Sequence, residues 1–132
     1  MLSGYCECRN VKFEIDAEIE DYSHCHCSQC RRLHGAAYAT FAGVKKAGFR
    51  YLSGEDSLGR YHSSVGSERI FCSNCGSNIG VAVDDEPDML YISMSTLEGN
   101  PPRPEAYHIW VGSRAPWHEI LDDLAQYEQD PD

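Results

Sequence analysis

The stretch Phe71-Cys72-Ser73-Asn74-Cys75-Gly76-Ser77 carries two cysteines three residues apart, followed by a glycine. That order describes a knuckle, a tight turn that aims two sulfurs at one point, with a glycine free to take the sharp bend. Two sulfurs do not close a metal site, so partners must come from elsewhere. Upstream stands Cys6-Glu7-Cys8, and residues two apart in an extended strand point to one face. The two pairs make a closed set of four cysteines, the pattern of structural zinc. Sixty-three residues lie between Cys8 and Cys72, so such a zinc ties distant parts of the chain together. A small domain with a modest core gains stability from that tie.

A third cluster, Cys25-His26-Cys27-Ser28-Gln29-Cys30, supplies the remaining cysteines of a total of seven. Cys25 and Cys27 share a face and Cys30 returns on a turn. Three protein ligands with one open position is the pattern of catalytic zinc. Four plus three uses every cysteine. An odd count without a secretory signal does not describe a disulfide framework. Other divisions stay open on spacing alone. Cys72 and Cys75 could be a redox pair, although the chain lacks the βαβ pattern expected around one. The middle cluster could be a second structural site, closed by His24, His26, His34 or His108. The two Cys-x-Cys pairs could also share one metal, leaving Cys72 and Cys75 to another.

Outward from the cysteines, the chain reads as short strands. Val11, Phe13 and Ile15 alternate with charged residues, a period of two. Tyr38–Phe41, Phe49–Leu52, Glu68–Cys72, Asn78–Val83 and Met89–Met94 read as further strands, punctuated by glycines. The fold class is therefore all-β. Ile120, Leu121, Leu124 and Tyr127 have the spacing of a short C-terminal helix, and the final acidic residues, Asp130 and Asp132, are expected to fray. The 132 residues form one domain, with its core over about 4–117 and an acidic tail. Eleven Lys and Arg against 21 Asp and Glu give a net charge of -10. That balance argues against nucleic-acid backbones and anionic membranes as partners. No apolar run is long enough to cross a bilayer. The expected location is the cytoplasm.

The ordered set Gly4-x-Cys6-x-Cys8, Cys25-His26-Cys27-Ser28-x-Cys30-Arg31-Arg32, Phe71-Cys72-x-x-Cys75-Gly76-Ser77, His108-Ile109-Trp110 and Ser113-x-Ala115-Pro116-Trp117 resembles the glutathione-dependent formaldehyde-activating enzyme family, the Gfa/CENP-V domain family. The resemblance runs from Gly4 to about Trp117. It implies a β-tent (Mss4-like) fold of antiparallel sheets stapled by zinc. By position, Cys6, Cys8, Cys72 and Cys75 would hold a structural zinc, and Cys25, Cys27 and Cys30 a catalytic one. The implied activity is a carbon–sulfur lyase reaction, S-(hydroxymethyl)glutathione in equilibrium with glutathione and formaldehyde. The sequence departs from the family pattern after Cys8, where Arg9-Asn10 stands in place of the usual glycine. A turn shifted onto Asn10 would suit asparagine's tolerance of left-handed backbone.

A glutathione-like substrate carries two carboxylates. Arg31 and Arg32 follow Cys30 directly, and a guanidinium can clamp a carboxylate through two hydrogen bonds. They would also offset the long-range repulsion between an acidic protein and an anionic thiol. Trp110 is a candidate wall for the substrate. His108 is the candidate general acid or base, since histidine transfers protons near neutrality. His26, between two ligands, should point to the opposite face. The competing reading is a non-enzymatic, zinc-stabilised module that binds a protein. A solvent-open fourth position on the middle zinc favours chemistry, and a histidine-capped one favours the scaffold.

Overall fold

A computed structural model describes residues 1–131; Asp132 lies outside the described residues. Ten strands form two sheets. β1 (Leu2–Tyr5), β2 (Lys12–Ile15) and β5 (Phe49–Ser53) make a three-stranded sheet in the order β1-β2-β5. The other seven are β3 (Asp21–Cys25), β4 (Ala39–Lys45), β6 (Leu58–Ser64), β7 (Ser67–Cys72), β8 (Asn78–Val83), β9 (Met89–Ser93) and β10 (Tyr107–Ile109). They run in the order β10-β3-β4-β9-β8-β7-β6. Every pairing is antiparallel except β10 with β3, where His108 stands opposite His24 and Ile109 opposite Cys25. The all-β expectation therefore holds, and the expected strands are present, with β1, β3, β6 and β10 in addition.

The large sheet buries both faces. On one, Ala42, Val44, Ile70, Cys72, Leu90 and Ile92 pack against Val11, Phe13 and Ile15 of the small sheet, with Cys6 in the same core. On the other, Phe41, Val81 and Ala39 pack around Cys25 and Cys30, with Tyr91 and Trp110 at the margin. Alternation along β4 divides the two sets, with Ala39 and Phe41 to one side and Ala42 and Val44 to the other. Gly4 of β1 lies where the sheets close on each other. A Cβ there would meet Phe13 Cζ at 2.5 Å and the Thr96 carbonyl oxygen at 2.6 Å.

The expected C-terminal helix is absent. The one α-helix among the described residues is α1 (Ser28–His34), inside the middle cysteine cluster. Residues 122–130 instead lie along β10. The His108 amide donates to the Ala125 carbonyl at 2.8 Å, and the Tyr127 amide donates to the His108 carbonyl at 2.9 Å. Asp122 takes the Leu124 amide with its own carboxylate at 3.1 Å, a local bond that competes with helix formation. Asp130 accepts from the Trp110 indole at 3.2 Å. The apolar spacing of Ile120 to Tyr127 thus marks a strap over the end of the sheet.

Candidate functional site

The two cysteine groups belong to different cores, Cys6 and Cys72 to the one between the sheets and Cys25 and Cys30 to the one on the other face of the large sheet. Cys6 and Cys8 lie in the turn that leaves β1, and Cys72 and Cys75 in the turn from β7 to β8. Their four sulfurs all lie within 4.8 Å of one another. Cys6 Sγ is 3.6 Å from Cys8 Sγ, which is 3.8 Å from Cys72 Sγ. The edge of a tetrahedron with zinc–sulfur bonds of about 2.3 Å is about 3.8 Å, whereas a disulfide needs about 2.05 Å. The sulfurs therefore fit around a zinc ion and not against each other, and all seven cysteines are free thiols.

The two turns are built alike. The Arg9 amide donates to the Cys6 carbonyl at 2.9 Å, and the Gly76 amide donates to the Cys72 carbonyl at 2.7 Å. Both residues take left-handed backbone, Arg9 with φ 66° and Gly76 with φ 82°. The shift of the first turn onto Asn10 does not occur. Arg9 itself holds the strained position, its guanidinium 4.5 Å over the Tyr5 ring. The sulfurs also accept hydrogen bonds. Val11 N–H reaches Cys6 Sγ at 3.2 Å and Asn74 Nδ2 reaches Cys8 Sγ at 3.2 Å. Ser77 and nearby amides pull the Cys75 thiol down to about 5, while burial pushes Cys6 up to about 11.

In the second group, Cys25 ends β3, Cys27 caps α1 and Cys30 sits in its first turn. The Cys30 amide donates to Cys27 Sγ at 3.3 Å, so the helix start and the sulfur geometry are set by one contact. The three sulfurs lie within 4.8 Å of one another, and among the described residues no histidine, aspartate or glutamate completes the group. Hydrogen bonds from Cys25 and Cys30 pull Cys27 down to about 2, and the same contacts push Cys25 up. This is a set of thiols sharing negative charge at close range. Such a donor set suits a soft or borderline divalent cation with one position left for another donor.

The remaining candidates divide. Trp110, like Cys27 and Ile109, packs against the apolar cluster that contains Cys25 and Cys30. It also lines a cleft of about 650 Å³ with Ser113, Tyr127, Glu128 and Asp130. Arg31 is half-buried, with its Nε unpartnered, and Arg32 is exposed. His108 is 1% exposed and lies with the histidines on the far face of β3. Its Nδ1 pairs with His26 Nε2 at 2.8 Å and its Nε2 with Asp122 at 3.0 Å. Neither ring nitrogen is free for a substrate in this arrangement. His26 does point away from the sulfurs, as alternation requires, but it is fully buried and not at the surface. Burial and neighbouring His108 hold it at about 4.

One residue beside the second cysteine group escapes a reading of the sequence. Arg69 of β7 is 6% exposed, and its two terminal nitrogens lie 3.5 and 3.6 Å from Cys30 Sγ. Nothing in the string Ser67-Glu68-Arg69-Ile70 distinguishes it, because strand alternation puts Arg69 on the face opposite Ile70 and Cys72, which sequence alone leaves to solvent. Asp122 is likewise invisible in sequence, being 14 residues from the histidine it meets.

Residues 1–113 match the family described as Glutathione-dependent formaldehyde-activating enzyme. An uncharacterized lyase of Schizosaccharomyces pombe is 29% identical over 96 residues, covering 73% of this chain and 68% of that protein. A Halomonas elongata protein, provisionally named a glutathione-dependent formaldehyde-activating enzyme, is 26% identical over 127 residues, covering 91% of this chain and 81% of its own. The crystal structure of a Rhodobacter sphaeroides protein superposes with a TM-score of 0.65 at 26% identity, covering 76% of this chain and 91% of that one.

Proposed function

We propose, for a chain that belongs to the glutathione-dependent formaldehyde-activating enzyme family, a zinc-dependent carbon–sulfur lyase activity on a thiol–aldehyde adduct such as S-(hydroxymethyl)glutathione. The observation that carries this reading is the Cys25/Cys27/Cys30 group, three converging sulfurs that no fourth protein donor completes among the described residues. Two zinc ions are implied, a structural one at Cys6, Cys8, Cys72 and Cys75 and a catalytic one at the three-sulfur group. A zinc ion at the latter supplies a place for the substrate sulfur as thiolate, the form in which it leaves and attacks.

In the lyase direction the carbon–sulfur bond breaks and sulfur keeps the electron pair. The hydroxymethyl oxygen gives up its proton, which ends on the departing sulfur when it is released as the thiol, and becomes the carbonyl of formaldehyde. The protein's part is to hold and orient. Arg31, which is half-buried, and its exposed neighbour Arg32 are proposed to take the substrate carboxylates. Trp110, which packs against the apolar cluster around Cys25 and Cys30, is proposed to wall the substrate's approach to the sulfurs. His108 enters as a positioning residue. It braces His26, whose backbone links Cys25 to Cys27 and whose amide donates to the Ile109 carbonyl at 2.9 Å. Thiols that must stay reduced to hold metal suit the cytoplasm, and no described helix is long and apolar enough to cross a membrane.

The test is the exchange rate between glutathione, formaldehyde and their adduct, followed by NMR with zinc-loaded, reduced protein. Faster exchange that disappears in Cys25→Ser supports the reading. A rate equal to the uncatalysed background at micromolar protein refutes it.

A further inference from the structure

Arg69 presents a problem of charge. A guanidinium stays protonated in any protein, and burying it without a counter-charge is strongly unfavourable. Among the described residues no carboxylate lies within 4.0 Å of it. Its Nε donates to Ser63 Oγ at 3.1 Å, and both terminal nitrogens face Cys30 Sγ. In β7 it stands opposite Val81, which packs in the same apolar cluster as Cys25 and Cys30. Among the described residues, the group that its terminal nitrogens meet is the Cys30 sulfur of the three-cysteine cluster.

We infer that Arg69 is a positioning residue of the three-cysteine centre, its fork orienting the Cys30 sulfur and its charge balancing that of the loaded centre. This rests on the proposed two-zinc reading. Three thiolates around a divalent ion leave one net negative charge, and Arg69 cancels it. A zinc-loaded assembly would then be neutral on its own and would carry a single negative charge with a substrate thiolate added. Without Arg69 the same step would bury two negative charges. The guanidinium therefore favours both retention of the metal and entry of an anionic sulfur donor. The four-cysteine centre needs no such residue, because Cys8 and Cys75 are exposed to water.

The experiment uses the full chain with Arg69→Met and Arg69→Lys, loaded with cobalt(II) as a spectroscopic stand-in for zinc. Loss of a residue that orients a metal ligand typically weakens metal binding about 10–100-fold. Arg69→Met should lose that much affinity at one of two sites, measured by competition with a chromophoric chelator. Arg69→Lys, which keeps the charge and loses the fork, should fall between it and wild type. The sulfur-to-cobalt charge-transfer band of the weakened site should move to lower energy as Cys30 loses its hydrogen bonds. A merely structural role would leave that band in place. If Arg69→Met does not fold, Ser63→Ala removes the bond that aims the fork and should give a smaller loss with the same spectral direction. Unchanged affinity and spectrum in a folded Arg69→Met with two metals per chain would overturn this inference alone. A wild-type chain that binds only one metal would overturn the two-zinc reading and this inference with it.

Discussion

Replacing Cys75 by serine and Cys30 by serine should have unequal effects on stability, and the structure sets the size of the difference. Cys75 is exposed, so the substitution opens no cavity and its effect reports the metal alone. The four-sulfur group joins the β1–β2 turn to the β7–β8 turn. A cross-link closing about 66 residues removes about 4 kcal/mol of chain entropy from the unfolded state, by the expression used for disulfides. A chain of this length unfolds with an entropy of roughly 280 cal/mol/K, so about 4 kcal/mol corresponds to a Tm lower by about 15 °C. The Cys25–Cys30 loop is short, and its ends are already held by β3 and α1. Its closure contributes about 2 kcal/mol at most by the same expression, or about 7 °C. The assay is thermal unfolding followed by circular dichroism in excess zinc and reductant, with zinc per chain measured on each variant. Equal falls in Tm, or a larger fall for Cys30→Ser, would refute the division into a stapling centre and a local one.

Gly4→Ala should cost about 2 kcal/mol, because its methyl would overlap the Phe13 ring and the Thr96 carbonyl; a Tm within about 2 °C of wild type would contradict that overlap. Tyr107→Phe removes a donor 2.6 Å from Asp21 and should cost about 1 kcal/mol in urea unfolding with an unchanged m-value. The hydrogen bond from His108 holds the Asp122 carboxyl below its usual range. Its folded pKa is depressed, so its contribution to holding the strap is present above the ordinary carboxylate pKa and is lost as pH falls through the lowered value. Hydrogen exchange at Tyr127 N–H should accelerate on acidification below that range relative to intrinsic rates. Asp122→Asn should already show the loosened strap at neutral pH, and a variant with wild-type protection there would sink the assignment.

Six of the ten strands and both sulfur groups were legible because their signals are local. Val11, Phe13 and Ile15 declare a strand by alternation alone, and Cys72-x-x-Cys75-Gly76 declares its turn within five residues. The pairing of Cys6 and Cys8 with Cys72 and Cys75 needed the additional step of counting sulfurs, and the family resemblance agreed with it. Helix α1 was hidden by the cysteines it contains, since ligand spacing dominates the reading of Cys27 to Cys30 while helical period needs more than seven residues to register. The C-terminal strap failed for the opposite reason. Four apolar residues at helical spacing carried no information about the free edge of β10, whose backbone groups took residues 125–129 as partners. Arg69 and Asp122 became visible only when the fold brought them to Cys30 and His108, because a lone charged residue in sequence carries no mark of what it will face.

The contrast in span between the two cysteine groups sets an order of assembly. Cys25, Cys27 and Cys30 leave the ribosome within six residues of one another, and closing so short a loop requires no distant contact. They can capture a metal ion while the rest of the chain is still being made. Cys6 and Cys8 must wait for Cys72 and Cys75, and those four sulfurs converge only after the small sheet has docked on the large one. Until β7 brings Arg69 to Cys30, the first group would therefore be open to whatever divalent ion the nascent chain meets. The second would admit an ion only into a nearly finished fold, where the four sulfurs already lie within 4.8 Å of one another.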